Sequence, residues 1–227
     1  MTIDQFINSS LGRKTVMAAT GLFLCVFLIE HLYGNLLLYF SDQGAAFVEY
    51  SHDAVRNLII RSVEVVLFAA ILLHVAQAIY LTRQNASARP VKYASYKVNE
   101  TSNWFSRNMG LTGSLIFFFI VVHLWQFFLP YRISDTIGGQ GQTNIAQAVK
   151  EAFQHGWYVL LYVVAVGFLS FHLNHGFQSA FNTLGLNNKT YTKLLSLIGS
   201  FFAFVVVGVG FASFPILFYF GIAGKTI

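Results

Sequence analysis

The sequence has a single cysteine and very few charged residues. Cys25 is the one cysteine among 227 residues. A single thiol excludes an intrachain disulfide, a cysteine-ligated iron–sulfur cluster and covalent haem attachment through CxxCH. Charged residues make up 10% of the chain, hydrophobic residues make up 56%, and the mean hydropathy is +0.59. This composition excludes an ordinary soluble domain and indicates an integral membrane protein that holds any redox group non-covalently.

The chain also lacks strand-type alternation and a convincing short repeat, and its first residues do not resemble a cleaved signal peptide. Its first residues, MTIDQFINSSLGRK, carry Asp4 and contain no apolar core. They therefore predict a short surface helix that leads into the membrane. The net charge of +5 does not indicate a nucleic-acid partner, because the basic residues lie in short segments between apolar runs.

Five apolar runs are long enough to cross a bilayer, which requires about 20 residues. They predict an all-α membrane protein that forms one domain over residues 1–227, with short surface helices in segments 41–61 and 131–156. The predicted spans are roughly 16–40, 63–82, 111–129, 157–176 and 194–219.

The distribution of basic residues predicts a cytoplasmic N-terminus. With five spans, one side carries nine basic residues and the other carries five. The nine lie at Arg13, Lys14, Arg83, Arg89, Lys92, Lys97, Arg107, Lys189 and Lys193, and the five lie at Arg56, Arg61, Arg132, Lys150 and Lys225. The long basic and aromatic connection 83–109 suits a soluble partner and lipid head groups equally well.

Histidines recur within the predicted spans, where an ionisable side chain is expensive without a function. Measured from the N-terminal side, His31 and His123 lie about 22 and 18 Å deep at 1.5 Å per residue. His74 lies about 12 Å deep, and His172 is similarly shallow. Two imidazoles at one depth can ligate a six-coordinate haem iron that carries electrons. The sequence thus predicts two stacked haems, and the alternative is histidines that hydrogen-bond between helices.

Several other polar residues could serve such haems. His175 could replace His172 as a ligand, contact a propionate or serve a quinone. Arg83 and Arg107 are candidate propionate donors. Glu30 could orient His31 or relay protons. The glycines that would let a macrocycle or a neighbouring helix approach are Gly21, Gly34, Gly113 and Gly167.

Acids of the first outward segment are candidates for proton exchange with a quinone. Glu49, His52 and Asp53 form a cluster there, near the deep histidine pair. A carboxylate at this place could take up or release protons as electrons arrive. A solvated loop is the alternative for each of these residues.

Four segments of the chain resemble the dihaem cytochrome b anchors of bacterial succinate dehydrogenases and fumarate reductases. These segments are ATGLFLCVFLIEHLYGN (19–35), AAILLHVAQAIY (69–80), MGLTGSLIFFFIVVHLW (109–125) and SFHLNHGFQSAFNTLG (170–185). The resemblance implies two haems b on His31, His74, His123 and His172, because the family's fourth ligand precedes a glycine by four residues, here Gly176. It also implies Asp53 as the quinone-side acid, with Glu49 as its rival.

The resemblance implies partners and a location as well. A flavoprotein with FAD and an iron–sulfur subunit would dock on the cytoplasmic side of a bacterial inner membrane, and a quinone, usually menaquinone, would exchange electrons towards the outer face. Some fumarate-reducing members carry a carboxylate where this chain has Ser170, which favours succinate oxidation. The alternatives are a dihaem anchor of a hydrogenase or formate dehydrogenase, and a haem-free membrane protein.

Overall fold

The computed structural model describes residues 2–40, 44–87, 104–136, 144–186, 188 and 190–223. Within these residues all regular structure is helical. The helices are α1 (Ile3–Asn8), α2 (Ser10–Tyr39), α3 (Ala45–Arg56), α4 (Leu58–Ser87), α5 (Trp104–Arg107), α6 (Met109–Arg132), α7 (Ile145–Ala152), α8 (Gly156–Thr183) and α9 (Thr192–Tyr219).

The five long helices α2, α4, α6, α8 and α9 are each long and apolar enough to cross a membrane. The predicted all-α fold with five spans is therefore confirmed. Each helix is longer than its apolar run, because the helix continues through polar residues at its ends. The α2 helix, for example, begins at Ser10, where the Ser9 hydroxyl caps it by accepting from the Gly12 amide at 3.0 Å.

Four of the spans form a closed ring, and the fifth lies outside it. The α2 helix packs on α4, α4 on α6, α6 on α8, and α8 returns to α2. The α9 helix packs mainly against α8. Helices α2 and α6 start at the end of the bundle that holds the chain's beginning, here called the N side, and run to the opposite end, the far side. The diagonals of the ring are thus α2 with α6 and α4 with α8.

The outward surface of the ring is apolar. Along α4, Leu58, Val65 and Leu72 are 80%, 69% and 64% exposed, and Ala70 is the buried residue of that helix. Exposure of so much apolar surface to water would be unfavourable, whereas its contact with lipid is not. The chain is therefore a multi-pass membrane protein.

The far side is closed by a roof of apolar and aromatic side chains. The short helix α7 buries Ala146 and Val149 against Leu38 of α2, Phe127 of α6 and Phe218 of α9. The predicted surface helices in this part of the chain are α3 and α7. The α7 helix differs from the prediction, because one of its faces is buried in the roof.

Two stretches of the spans are wound as π-helix. One, Leu124–Phe128, follows His123 directly in α6, and the other, Phe202–Val209, forms the middle of α9. Such wider turns shift the register of the side chains that follow them. In α6 the shift leaves Phe127 buried, edge-on to the His123 ring.

Several basic residues used for the orientation fall outside the described residues. These are Arg89, Lys92, Lys97, Lys189 and Lys225. Most of the connection 83–109 also falls there, as residues 88–103. The cytoplasmic position of the N side therefore stays a prediction from charge.

Candidate functional site

The structure brings four histidines together as two pairs inside the ring. His31 of α2 faces His123 of α6 with ring centroids 5.8 Å apart, and His74 of α4 faces His172 of α8 at 6.4 Å. Each pair lies across one diagonal. Along α2, eleven residues separate Thr20, which contacts His74, from His31, and this is about 16 Å at 1.5 Å per residue. The His31–His123 pair is the far pair, and the His74–His172 pair is the N-side pair.

Both separations suit two imidazoles that bind one iron from opposite sides. With about 2 Å from iron to each nitrogen and about 1.1 Å from nitrogen to ring centre, the centroids lie about 6 Å apart. In the described part of the chain, no three His, Cys, Asp or Glu side chains gather as a direct metal site. Two protein ligands are enough for a haem, because the macrocycle supplies the other four. The residues present therefore fit two bis-histidine haems.

Three of the four imidazoles have a side-chain hydroxyl within hydrogen-bonding distance of Nδ1. Thr20 Oγ1 lies 3.2 Å from Nδ1 of His74, and Thr112 Oγ1 lies 3.5 Å from Nδ1 of His172. The Tyr162 hydroxyl lies 3.0 Å from Nδ1 of His123. Ligating histidines usually hydrogen-bond through the nitrogen that does not hold the metal. These contacts therefore leave Nε2 as the nitrogen that could bind iron.

The hydroxyl at the far pair belongs to a buried tyrosine chain. Tyr162 lies 3.4 Å, hydroxyl to hydroxyl, from Tyr158, and both residues are buried under the roof of the far side. Phe119 stacks on the His123 ring with centroids 5.9 Å apart. His123 is thus held by a hydrogen bond on one edge and by an aromatic ring on one face.

Glycines leave room around the N-side pair. A Cβ on Gly21 would lie 3.3 Å from Cε1 of His74, and one on Gly113 would lie 3.5 Å from Cε1 of His172. Gly176, one turn from His172 on the same face of α8, would meet nothing within 4 Å. Gly167 is equally open, whereas Gly34 accommodates the Tyr50 ring instead. A flat macrocycle needs such open space beside its ligand.

The two candidate acids of the quinone reaction lie on α3. Glu49 and Asp53 are both exposed there, one turn apart. Between them in the sequence, Tyr50 points the other way, and its hydroxyl donates to the carboxylate of Glu30, next to His31. Burial and the Glu30 carboxylate raise the pKa of the Tyr50 hydroxyl, which keeps it protonated as the donor. Glu30 therefore anchors α3 to α2.

The remaining candidates lie towards the N side. Arg83 is exposed near the end of α4, and Arg107 is half-buried at the end of α5. His175 is half-buried on α8, three residues beyond His172. At 1.5 Å per residue it lies about 4.5 Å nearer the N side than His172. The ring that faces His74 across the bundle belongs to His172.

Sequence reasoning missed the groups that hold the histidines. Thr20, Thr112 and Tyr162 are ordinary residues in apolar helices, and only their distances to the imidazoles distinguish them. It also gave Glu64 no partner. The structure pairs Glu64 with Arg132, which ties the far ends of α4 and α6. Each threonine lies eleven residues, or about three helical turns, before the histidine of its own helix, and a search for hydroxyls at this spacing would have found both.

Comparisons with known proteins identify the family of this chain. The family described as succinate dehydrogenase/fumarate reductase transmembrane subunit matches residues 85–208, which is more than half of the chain. A relative is the fumarate reductase cytochrome b subunit of Helicobacter pylori (strain J99), 27% identical over 170 residues. The match covers 62% of this chain and 60% of the relative's length. No solved structure matches. The chain belongs to the family of transmembrane subunits of succinate dehydrogenases and fumarate reductases.

Proposed function

We propose that this chain is the cytochrome b anchor of a succinate:quinone oxidoreductase, which transfers electrons between an iron–sulfur subunit and a quinone. The observation that carries the proposal is the pair of imidazoles across each diagonal of the ring, at 5.8 and 6.4 Å. His31 and His123 would hold one haem b, and His74 and His172 the other. Haem supplies reversible one-electron transfer when bound, and ligation on both sides leaves no position for oxygen.

The chain's own residues fix the ligands and keep water away. Thr20, Thr112 and Tyr162 hold Nδ1 of three imidazoles, so that Nε2 would be the nitrogen that binds the iron. Phe27 and Phe119 stack on His31 and His123, with centroids 5.3 and 5.9 Å apart. The buried roof of the far side excludes solvent from the far pair. Burial of this kind disfavours charge on the imidazoles and suits neutral ligands.

The partners and the location follow from the family and from the charges. A flavoprotein with FAD and an iron–sulfur subunit would dock at the N side, in the cytoplasm of a bacterium, with the chain in the cytoplasmic membrane. Arg83, Arg107 and His175 lie towards that side and are the candidates for propionate contacts, and a quinone contact is the alternative for His175 if the quinone reacts at the N side. The quinone, proposed to be menaquinone, would react at the far side. Dicarboxylate chemistry would take place on the partner subunits.

Fumarate reduction is the second candidate direction, because the Helicobacter relative is named a fumarate reductase subunit. Ser170 supports succinate oxidation instead. Its hydroxyl donates to the Val166 carbonyl at 3.0 Å, and a Cβ on Gly208 would lie 2.9 Å from it. A longer carboxylate side chain at this position would collide with α9. The rates of both reactions in the intact complex distinguish the two directions.

An optical spectrum tests the proposed function. The reduced-minus-oxidised spectrum of the complex purified from its native membrane should show a b-type α-band. Haem extracted from the same sample should approach two per anchor chain, since the chain offers two imidazole pairs. Material that is intact but without haem would refute the electron-transfer function.

Asp53→Asn should slow quinone turnover and leave both haems in place. If Asp53 exchanges protons with the quinone, its loss should lower the rate by about a hundredfold, the lower end of what general acid–base groups contribute. The measurement is succinate-dependent quinone reduction by the complex, with reduction of an artificial acceptor at the partner subunits as reference. Glu49→Gln tests the rival acid one turn away. Unchanged turnover in both variants would exclude both acids from this role.

A further inference from the structure

Helices α2 and α6 contain the same residues at the same spacing. Both read T-G-x5-F-x3-H, a pattern that the sequence alone did not make conspicuous. The matched positions are Thr20, Gly21, Phe27 and His31 in α2, and Thr112, Gly113, Phe119 and His123 in α6.

The structure places the repeated residues in matching contacts. Each threonine lies at Nδ1 of a histidine on the next helix of the ring, at 3.2 and 3.5 Å. Each glycine lies against Cε1 of the same histidine. Each phenylalanine stacks on the histidine of its own helix. An approximate twofold axis along the bundle therefore relates α2 and α4 to α6 and α8.

The hydrogen bonds that the threonines make within their own helices favour one direction for each contact. Thr20 has one hydroxyl proton, which it donates to the Val16 carbonyl at 2.8 Å. Thr112 donates its proton in the same way within α6, to the Met109 carbonyl at 3.2 Å. Both oxygens can then only accept from an imidazole. The tautomer of His74 and His172 that satisfies both contacts carries its proton on Nδ1, and this tautomer has its lone pair on Nε2.

We infer that Thr20–Gly21 and Thr112–Gly113 are two equivalent contact sites for the imidazoles of the N-side pair. Both threonines would tune the reduction potential of the same haem. The inference rests on the proposed haem function. Thr20 and Thr112 are positioning residues, since each acts through the histidine it holds. The glycines let the rings lie close enough to the helices for these hydrogen bonds to form.

Accepting a hydrogen bond from Nδ1 makes an imidazole a more basic ligand, which stabilises ferric iron. Removing the acceptor should therefore raise the reduction potential of the haem that this imidazole holds. Because His74 and His172 share one iron, Thr20 and Thr112 should act on the same haem, although they are far apart in the sequence. The far haem should not respond.

The residues around the far pair are not equivalent on the two halves of the bundle. A test of the threonines can therefore distinguish the two haems. On α8, Tyr162 lies ten residues before His172 and holds His123. The corresponding residue of α4 is Glu64, ten residues before His74, and it pairs with Arg132 instead. The two ligands of the far pair thus have different surroundings. The two ligands of the N-side pair, in contrast, are held by equivalent contact sites.

The experiment is a redox titration of the intact complex, followed optically, with electron paramagnetic resonance of the ferric haems. Thr20→Val and Thr112→Val keep the side-chain volume and remove the hydroxyl. Each should change the ferric-to-ferrous ratio of the same haem by about threefold at fixed potential, or about 28 mV at 59 mV per tenfold. Its ferric resonance should shift as well. Thr15→Val, which removes a hydroxyl bonded to the Leu11 carbonyl, is the matched control.

The possible outcomes distinguish failure of the inference from failure of the proposed function. Two haems with unchanged potentials and resonances in both valine variants, or shifts in different haems, would overturn the inference and leave the function intact. Absence of haem in the unmodified complex would overturn the function instead. If Thr20→Val loses a haem, Thr20→Ser must keep both at the original potentials. Loss of haem in the serine variant too would refute the hydroxyl's role.

Discussion

His123→Ala should reduce the haem content of the complex from two per chain to one. The His123 ring is 5.8 Å from that of His31 and is held by Tyr162 at 3.0 Å. Alanine would leave His31 as a single ligand beside a cavity, and a haem with one axial protein ligand would be retained poorly in a site built for two. The N-side pair should keep its haem, because about 16 Å of helix separates the two levels.

The measurement is haem per chain together with a redox titration, which should change from two components to one. His155→Ala is the matched control, since His155 is exposed and precedes α8. This variant should keep both haems. Retention of two haems by His123→Ala would remove His123 from the ligand set, and loss of both would show that the two sites are not independent.

His172→Ala should remove the other haem. His172 faces His74 with centroids 6.4 Å apart and lies against both Thr112 and Gly113. Without His172, His74 would be the only imidazole of the N-side pair. The haem that remains should have the potential and spectrum of the haem missing from His123→Ala. The two difference spectra should therefore sum to the spectrum of the unmodified complex.

His175→Ala is the decisive comparison for this prediction. The sequence left His172 and His175 as rival ligands, and only the family resemblance favoured His172. His175 lies on the same helix, about 4.5 Å nearer the N side. We expect the His175→Ala complex to keep two haems and lose at most a contact to a propionate or quinone. The reverse pattern, with haem lost from His175→Ala and kept by His172→Ala, would exchange the two assignments.

The membrane fold was predictable because it depends on local properties of the chain. Five apolar runs of sufficient length require five helices, since a backbone in lipid must satisfy its hydrogen bonds within the helix. The helix ends were less predictable. The helix α8 continues seven residues beyond its apolar run, through Phe177 to Thr183, because hydropathy marks the apolar stretch and not the end of hydrogen bonding.

The candidate ligands could be predicted from the sequence, but the residues that hydrogen-bond to them could not. A histidine in an apolar helix is conspicuous, so His31, His74, His123 and His172 could be found by inspection. Thr20 and Thr112 are not conspicuous, because threonine often bonds its own helix backbone. Exposed acids such as Asp53 could be named from the sequence, but the contact between Glu30 and Tyr50 could not, since it joins two helices.

The sequence by itself determined five membrane helices, four of which carry a histidine at one of two depths. Only the tertiary structure decided that α2, α4, α6 and α8 close a ring, that α9 stays outside it, and that the histidines meet across diagonals. The physical reason lies in the solvent. Lipid and helix interiors are equally apolar, so hydrophobicity does not reveal which face of a helix points inward. That choice depends on close packing and on single hydrogen bonds, such as those of Thr20 and Thr112.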